Sequence, residues 1–326
     1  MKHWLSKILF FLFIALHTAQ ADPLPSWNAG AAKEAIVEFV EKTTRQGSPD
    51  FVPEPERIAV FDNDGTLWPE NPMPFQLAFT IDELKRRLPD ETNWNDDPTV
   101  TAALSGDLPT LMADNYKGLF HIIELVASGL TTEDFAERVR AWFSTARHPR
   151  FERPYDQLAY QPMLEVLTHL RANGFKTFIV SGGGSEFMRT FTEKTYGIPP
   201  EQVVGSTTRV VYELRDEGPV LVKTMDGLFI DDRSGKPAGI QQFIGRRPIA
   251  AFGNSDGDLQ MLEYTTISNP RPSLGMIVHH TDSGREYAYD SNPKSTGKLV
   301  QTLADASKRG WIVIDMKNDW ATIFGP

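Results

Sequence analysis

Arg57-Ile-Ala-Val-Phe-Asp62-Asn-Asp64-Gly-Thr66 decides how the rest of this 326-residue chain is read. Ile58 to Phe61 is an uninterrupted apolar run of the kind that forms a short strand buried on both faces. The run ends abruptly at Asp62, so the carboxylates of Asp62 and Asp64 both project near the strand's C-terminal end. Two carboxylates at i and i+2 at a strand exit can share a cation and divide labour, one attacking and the other handling protons. An isolated D-x-D-G segment is also an ordinary turn, so the weight of this one depends on its company.

Working outward, Ala31 to Lys42 has apolar residues at helical spacing, and Ser48 to Pro55 is a proline-rich turn region. From Trp68 to about Pro162 no comparable strand signal occurs, whereas 81–88, 111–128 and 132–146 read as amphipathic helices. Strand and helix then alternate. Pro162 opens a helix over 163–171, Asn173-Gly174 stops it, and 176–180 is a strand. A further helix follows the glycines at 182–184, and β-prone pieces at 208–214, 220–222 and 228–230 suggest a hairpin region. A helix over 240–244 and strands over 248–252, 275–279 and 311–315 complete the pattern. The expectation is an α/β protein, doubly wound around a mostly parallel sheet, with a helical insert between its first two strands.

Three more segments stand at corresponding places. Ser181-Gly182-Gly183-Gly184 follows a strand, where glycines let the backbone approach an anion and a helix N-terminus offers unpaired N–H groups. Lys236 precedes Pro237, which suits a first helical position; Lys223, at the end of a hairpin strand, is its rival. Gly253-Asn254-Ser255-Asp256-Gly257-Asp258 follows another strand and offers the oxygens that a hard cation needs.

In this order the four segments resemble the motifs of the haloacid dehalogenase superfamily, and in particular its phosphoserine-phosphatase-like members with a cap between motifs one and two. The likeness covers about residues 57–67 and 160–280. It implies a Rossmann-like core over 22–68 and 156–326 and an inserted helical cap domain over 69–155. It also implies a phosphatase that forms an aspartyl phosphate on Asp62, with Asp64 as general acid and base. Thr66, Ser181 and Gly182 would meet the phosphorylated substrate, and Lys236 would balance its charge. Asp62, Asp64, Asn254 and Asp258 would hold Mg2+. The family's usual fourth motif is G-D-x-x-x-D, so Asn254 replaces its first acid; Asp256 is a further candidate ligand. A phosphotransferase or mutase, or a phospholigand-binding protein with weak turnover, are the alternatives.

The N-terminus carries Lys2, an apolar run from Ile8 to Leu16 and Ala19-Gln20-Ala21, which is the pattern of a signal peptide over 1–21. The run is shorter than the roughly 20 apolar residues that span a bilayer, so no stable membrane anchor is expected after cleavage and the location is periplasmic or secreted. Losing Lys2 and Lys7 takes the net charge from −10 to −12, which argues against nucleic acid or an anionic membrane as the main partner; the partner that the resemblance implies is a small phosphorylated substrate. The chain has no cysteine, compatible with export without disulfides. His279-His280 with Asp282 reads as a strand end with one ring packed and one solvated, and Asp231-Asp232 as a turn.

Overall fold

In a computed structural model, which describes residues 21–291, 293 and 296–326, the apolar run Ile58–Phe61 is strand β1 and all four residues are buried. Ala59 and Phe61 join one hydrophobic core while Ile58 and Val60 join a second on the opposite face. That is why the segment is apolar throughout instead of alternating. Helix α1 (Ala31–Thr44) precedes it and contributes Ile36, Phe39 and Val40 to the first core.

The insert between β1 and the next core helix holds four helices: α2 (Phe75–Arg87), α3 (Pro98–Ser105), α4 (Leu108–Ala127) and α5 (Thr132–Thr145). Capping fixes their starts. The Asp97 carboxylate accepts the N–H groups of Thr99 and Val100 at 2.7 and 3.2 Å, and Pro98 occupies the first turn of α3. Thr131 accepts the Asp134 N–H at 3.0 Å to start α5. Helix α3 has no counterpart in the sequence reading, because its β-branched Thr99-Val100-Thr101 start hides a helix set by its cap.

The core continues with α6 (Gln161–Ala172), β2 (Lys176–Gly184), α7 (Ser185–Arg189), α8 (Thr192–Tyr196) and β3 (Val203–Ser206). A hairpin of β4 (Val210–Arg215) and β5 (Gly218–Lys223) follows, then α9 (Gly235–Gly239), continued by a π-helical turn at Ile240–Ile244, and β6 (Ala250–Gly253). Helix α10 (Leu259–Thr266), β7 (Leu274–His279), α11 (Gln301–Arg309), β8 (Ile312–Asp315) and α12 (Met316–Asp319) close the chain. The six-stranded sheet has the order β3-β2-β1-β6-β7-β8 and every pair in it is parallel. The fold is thus an α/β core with a helical insertion between β1 and β2.

Strand β3 and helices α10, α11 and α12 have no counterpart in the sequence reading, and two further elements depart from it. Strand β2 runs on through the three glycines to Gly184 with a shift in its pairing to β3 between Ser181 and Gly184, so the helix starts only at Ser185. The segment 228–230 adds no hairpin strand; Phe229 makes an isolated bridge to Thr207. Strands β4 and β5 form a separate two-stranded sheet that leans on the insert, where the Lys223 N–H donates to the Leu130 carbonyl at 2.9 Å and the Gly129 N–H to the Lys223 carbonyl at 3.0 Å. The expected signal segment lies outside the described residues except for Ala21. No helix among the described residues is long and apolar enough to cross a membrane.

Candidate active site

Parallel order brings the C-terminal ends of β2, β1 and β6 side by side, and with them Ser181, Asp62 and Asn254. The Asp62 N–H donates to the Phe252 carbonyl at 2.9 Å, and the Phe61 and Phe252 rings stack at 4.4 Å beneath it. Lys236 on α9 is the lysine that reaches this edge: its Nζ lies 2.9 Å from Asp62 Oδ1 and 2.5 Å from Asp258 Oδ1. Burial opposes the ammonium, but Asp258 and Asp62 outweigh it and hold Lys236 well above the ordinary lysine range. Lys223 instead pairs with Glu186 and sits 4.6 Å over the Phe135 ring, and burial pushes it down to about 8.

Burial and the Asp258 carboxylate push Asp62 up to about 7 against the pull of Lys236. Asp64 is also pushed up to about 7, chiefly by burial. The indole N–H of fully buried Trp68 donates to Asp64 Oδ1, and Trp68 itself stacks on Phe191 at 4.4 Å. An aromatic cluster under the loop therefore fixes the direction of the second carboxylate.

Asp258 accepts the N–H groups of Asn254 and Ser255 at 2.9 and 3.0 Å on Oδ2 while Oδ1 meets Lys236. It braces the loop from behind. Thr66 lies one layer behind the cavity too, fully buried, its hydroxyl donating to Asn254 Oδ1 at 3.1 Å. The Asn254 amide donates in turn to Glu70 Oε1 at 2.6 Å. Glu70, which the sequence reading left out, also accepts the hydroxyls of Tyr289 at 2.7 Å and Thr296 at 2.6 Å, and burial pushes it up to about 7. Its one sequence signal is an acid on the same loop as Asp62 and Asp64. Gly65, at φ +77°, is what lets these groups meet, since a Cβ there would stand 2.1 Å from Asn254 Nδ2 and 2.4 Å from Glu70 Oε1.

Ser181, Gly182 and Gly183 line the cavity above Asp62, and the Ser181 hydroxyl accepts the Gly183 N–H at 3.3 Å. Asp231 is more than a turn residue: it is fully buried, with neither carboxyl oxygen hydrogen-bonded, and burial pushes it up to about 7. Asp232 lines the cavity. Asp256 braces the following segment, accepting the N–H groups of Val300 and Thr302 at 3.0 and 2.9 Å. Of the two histidines, His280 is packed, with Nε2 2.7 Å from the Gly65 carbonyl and Nδ1 3.0 Å from Glu286, while His279 is half-buried.

The donors suit a hard cation. Among the described residues no three His, Cys, Asp or Glu side chains converge on a metal site. Asp62 and Asp258 nevertheless share the one ammonium of Lys236 while Asp64 accepts the Trp68 N–H, so the three carboxyls together are short of positive charge and offer oxygen ligands. Asn254 Oδ1 accepts one hydroxyl and keeps a second lone pair.

Two outcomes follow for the metal-free protein. Asn254→Asp should place a carboxylate against Glu70 and cost about 1–3 kcal/mol, with stability regained in the double variant Asn254→Asp/Glu70→Gln; chemical denaturation measures both. Because the folded Glu70 holds its proton up to about 7 and the unfolded one only to about 4.3, its contribution to stability is full at low pH. It is lost as pH rises between those values. Glu70→Gln should therefore flatten part of the fall in melting temperature between about pH 4 and 7, and an unchanged slope would remove this assignment.

The fold and these contacts gather three acids and a buried lysine at the edge of a parallel sheet. The chain belongs to the haloacid dehalogenase-like hydrolase family, whose model matches residues 59–263. Members of the family typically depend on Mg2+. No curated protein matches it in sequence. Its structure is similar to that of a conserved functionally unknown protein from Anaerococcus prevotii, at 17% identity and TM-score 0.53 over 81% of this chain and 90% of that one. A phosphoserine phosphohydrolase-like protein from Francisella tularensis gives 16% identity and TM-score 0.38 over 77% and 98%. A phosphoserine phosphatase described as a phospho-aspartyl intermediate analogue gives 17% identity and TM-score 0.32 over 68% and 86%.

Proposed function

We propose that this protein is an exported, Mg2+-dependent phosphatase that hydrolyses phosphomonoesters through an aspartyl phosphate on Asp62. The observation that carries this reading is the clamp of Lys236 on Asp62 Oδ1 at 2.9 Å, with Asp64 held beside it by Trp68 on the same cavity wall. Lys236 fixes Oδ1, so Oδ2 is the oxygen that attacks phosphorus. The P–O bond to the alcohol breaks as Asp64 gives its proton to the leaving oxygen. Asp64 then takes a proton from water, which attacks phosphorus and releases inorganic phosphate and free Asp62. Ser181 and the glycine amides of β2 hold the phosphoryl oxygens meanwhile. A bound Mg2+, held by Asp62, the Asp64 carbonyl and Asn254 with Asp258 bracing the loop, would neutralise phosphoryl charge. Export rests on the signal-peptide pattern at the N-terminus.

The test is release of phosphate from p-nitrophenyl phosphate with Mg2+, with chelator, and with glycerol present. Metal-dependent release with water as acceptor supports hydrolysis; transfer to glycerol in preference to water would make the protein a phosphotransferase. No turnover under any of the conditions would sink both.

A further inference from the structure

Helix α4 has more apolar surface than its core contacts use. Leu111, Ile122 and Val126 are buried in the core, while Met112, Leu119, Phe120 and Ile123 are half-buried and face a cavity of about 1080 Å3. Positions 119, 120 and 123 share one helix face, so the helix presents a second apolar surface that needs its own partner. Asp62, Asp64, Ser181 and Lys236 line the same cavity. Phe135 of α5 and Met225 and Leu228, beyond the hairpin, add further apolar lining.

The charges elsewhere on the lining are largely spent on one another. Lys223 is paired with Glu186, and Arg233 Nε lies 3.7 Å from Asp232 Oδ2. Tyr116, one of two residues with left-handed backbone in α4, brings its hydroxyl 3.4 Å from the other side of that same pair, Asp232 Oδ2. Lys298, the remaining lining lysine, is exposed. Among the described lining residues, a carboxylate or second phosphate on the substrate would find both buried lysines, Lys223 and Lys236, already paired with carboxylates, whereas an apolar body would find the α4 face and its apolar neighbours.

We infer that the leaving alcohol carries a bulky apolar group, aryl or long alkyl, seated against Leu119, Phe120 and Ile123; this rests on phosphomonoester hydrolysis at Asp62. The test is kcat/KM across butyl, hexyl and octyl phosphate, whose leaving groups are chemically alike, with phosphoserine and glycerol 3-phosphate as polar competitors. Naphthyl phosphate and farnesyl phosphate separate an aromatic from a lipid source. Each buried methylene should raise kcat/KM about threefold to fourfold, the ratio that ~0.8 kcal/mol gives. Phe120→Ser and Ile123→Asn should each flatten that slope, a readout that mere loss of folded protein would not change.

A flat chain-length series, or phosphoserine turned over as well as octyl phosphate, would overturn the inference while leaving hydrolysis intact. Binding of octylphosphonate against methylphosphonate, followed by calorimetry, separates the two ideas. Strong preference for octylphosphonate with no ester hydrolysed would keep the apolar site and remove the phosphatase.

Discussion

Asp62→Asn should lower phosphomonoester turnover by about 10⁴-fold or more, the scale on which losing a nucleophile acts. The amide cannot form the acyl phosphate, yet it has the size of the carboxyl and can still face Lys236, so the fold should survive. Stability should hold or rise, because a buried carboxyl pushed up to about 7 is replaced by a neutral group. Acid-quenched protein exposed to radiolabelled substrate should carry label in the wild type and none in Asp62→Asn. With labelled p-nitrophenyl phosphate, whose leaving group needs no proton, Asp64→Asn should accumulate label, since the attack on phosphorus remains while the proton transfer that frees Asp62 is lost. Full turnover in Asp62→Asn would end the covalent mechanism.

Lys236→Met should be nearly as damaging to activity and far worse for stability. Lys236 is 1% exposed and its ammonium touches Asp62 and Asp258 at 2.9 and 2.5 Å, so its removal leaves two buried carboxylates without their shared cation. Breaking a buried ion pair from one side costs about 3–5 kcal/mol. That loss should shrink on acidification, because protonating the stranded carboxyls removes the uncompensated charge. Lys223→Met takes away one lysine of the cavity wall but leaves the clamp, so its effect on turnover should be small by comparison. Urea denaturation at two pH values, beside activity assays of both variants, decides the matter. A stability loss in Lys236→Met that is below about 1 kcal/mol or independent of pH would mean that the ammonium does not hold the cluster together.

Local sequence was enough for five of the six strands of the core sheet, but not for β3, whose Val-Val-Gly-Ser is too short an apolar signal to stand out. Runs such as Ile58 to Phe61 are apolar without alternation because both faces of the sheet are covered, a property written into each residue. Helix ends proved harder. Helix α2 starts at Phe75, ahead of the amphipathic stretch at 81–88, and α3 depends on the Asp97 cap. The glycine run at 182–184 has the composition of a loop, and pairing with β3 makes it strand.

By itself the sequence determined the order of strand, acid pair, helical insert, glycine segment, lysine and polar loop, because each is a local signal of residue type and spacing. The tertiary structure decided which of those groups touch. It set Lys236 rather than Lys223 on Asp62, and turned Asp258 toward the lysine and two backbone amides. It set Thr66 behind Asn254 and brought Glu70 and the buried Asp231 into the site's surroundings. The physical reason is that a carboxyl's environment is made by residues far away in the chain: Asn254 and Glu70 are 184 positions apart and meet at 2.6 Å. Burial and hydrogen bonding across such distances arise only when the sheet and its insert close around them.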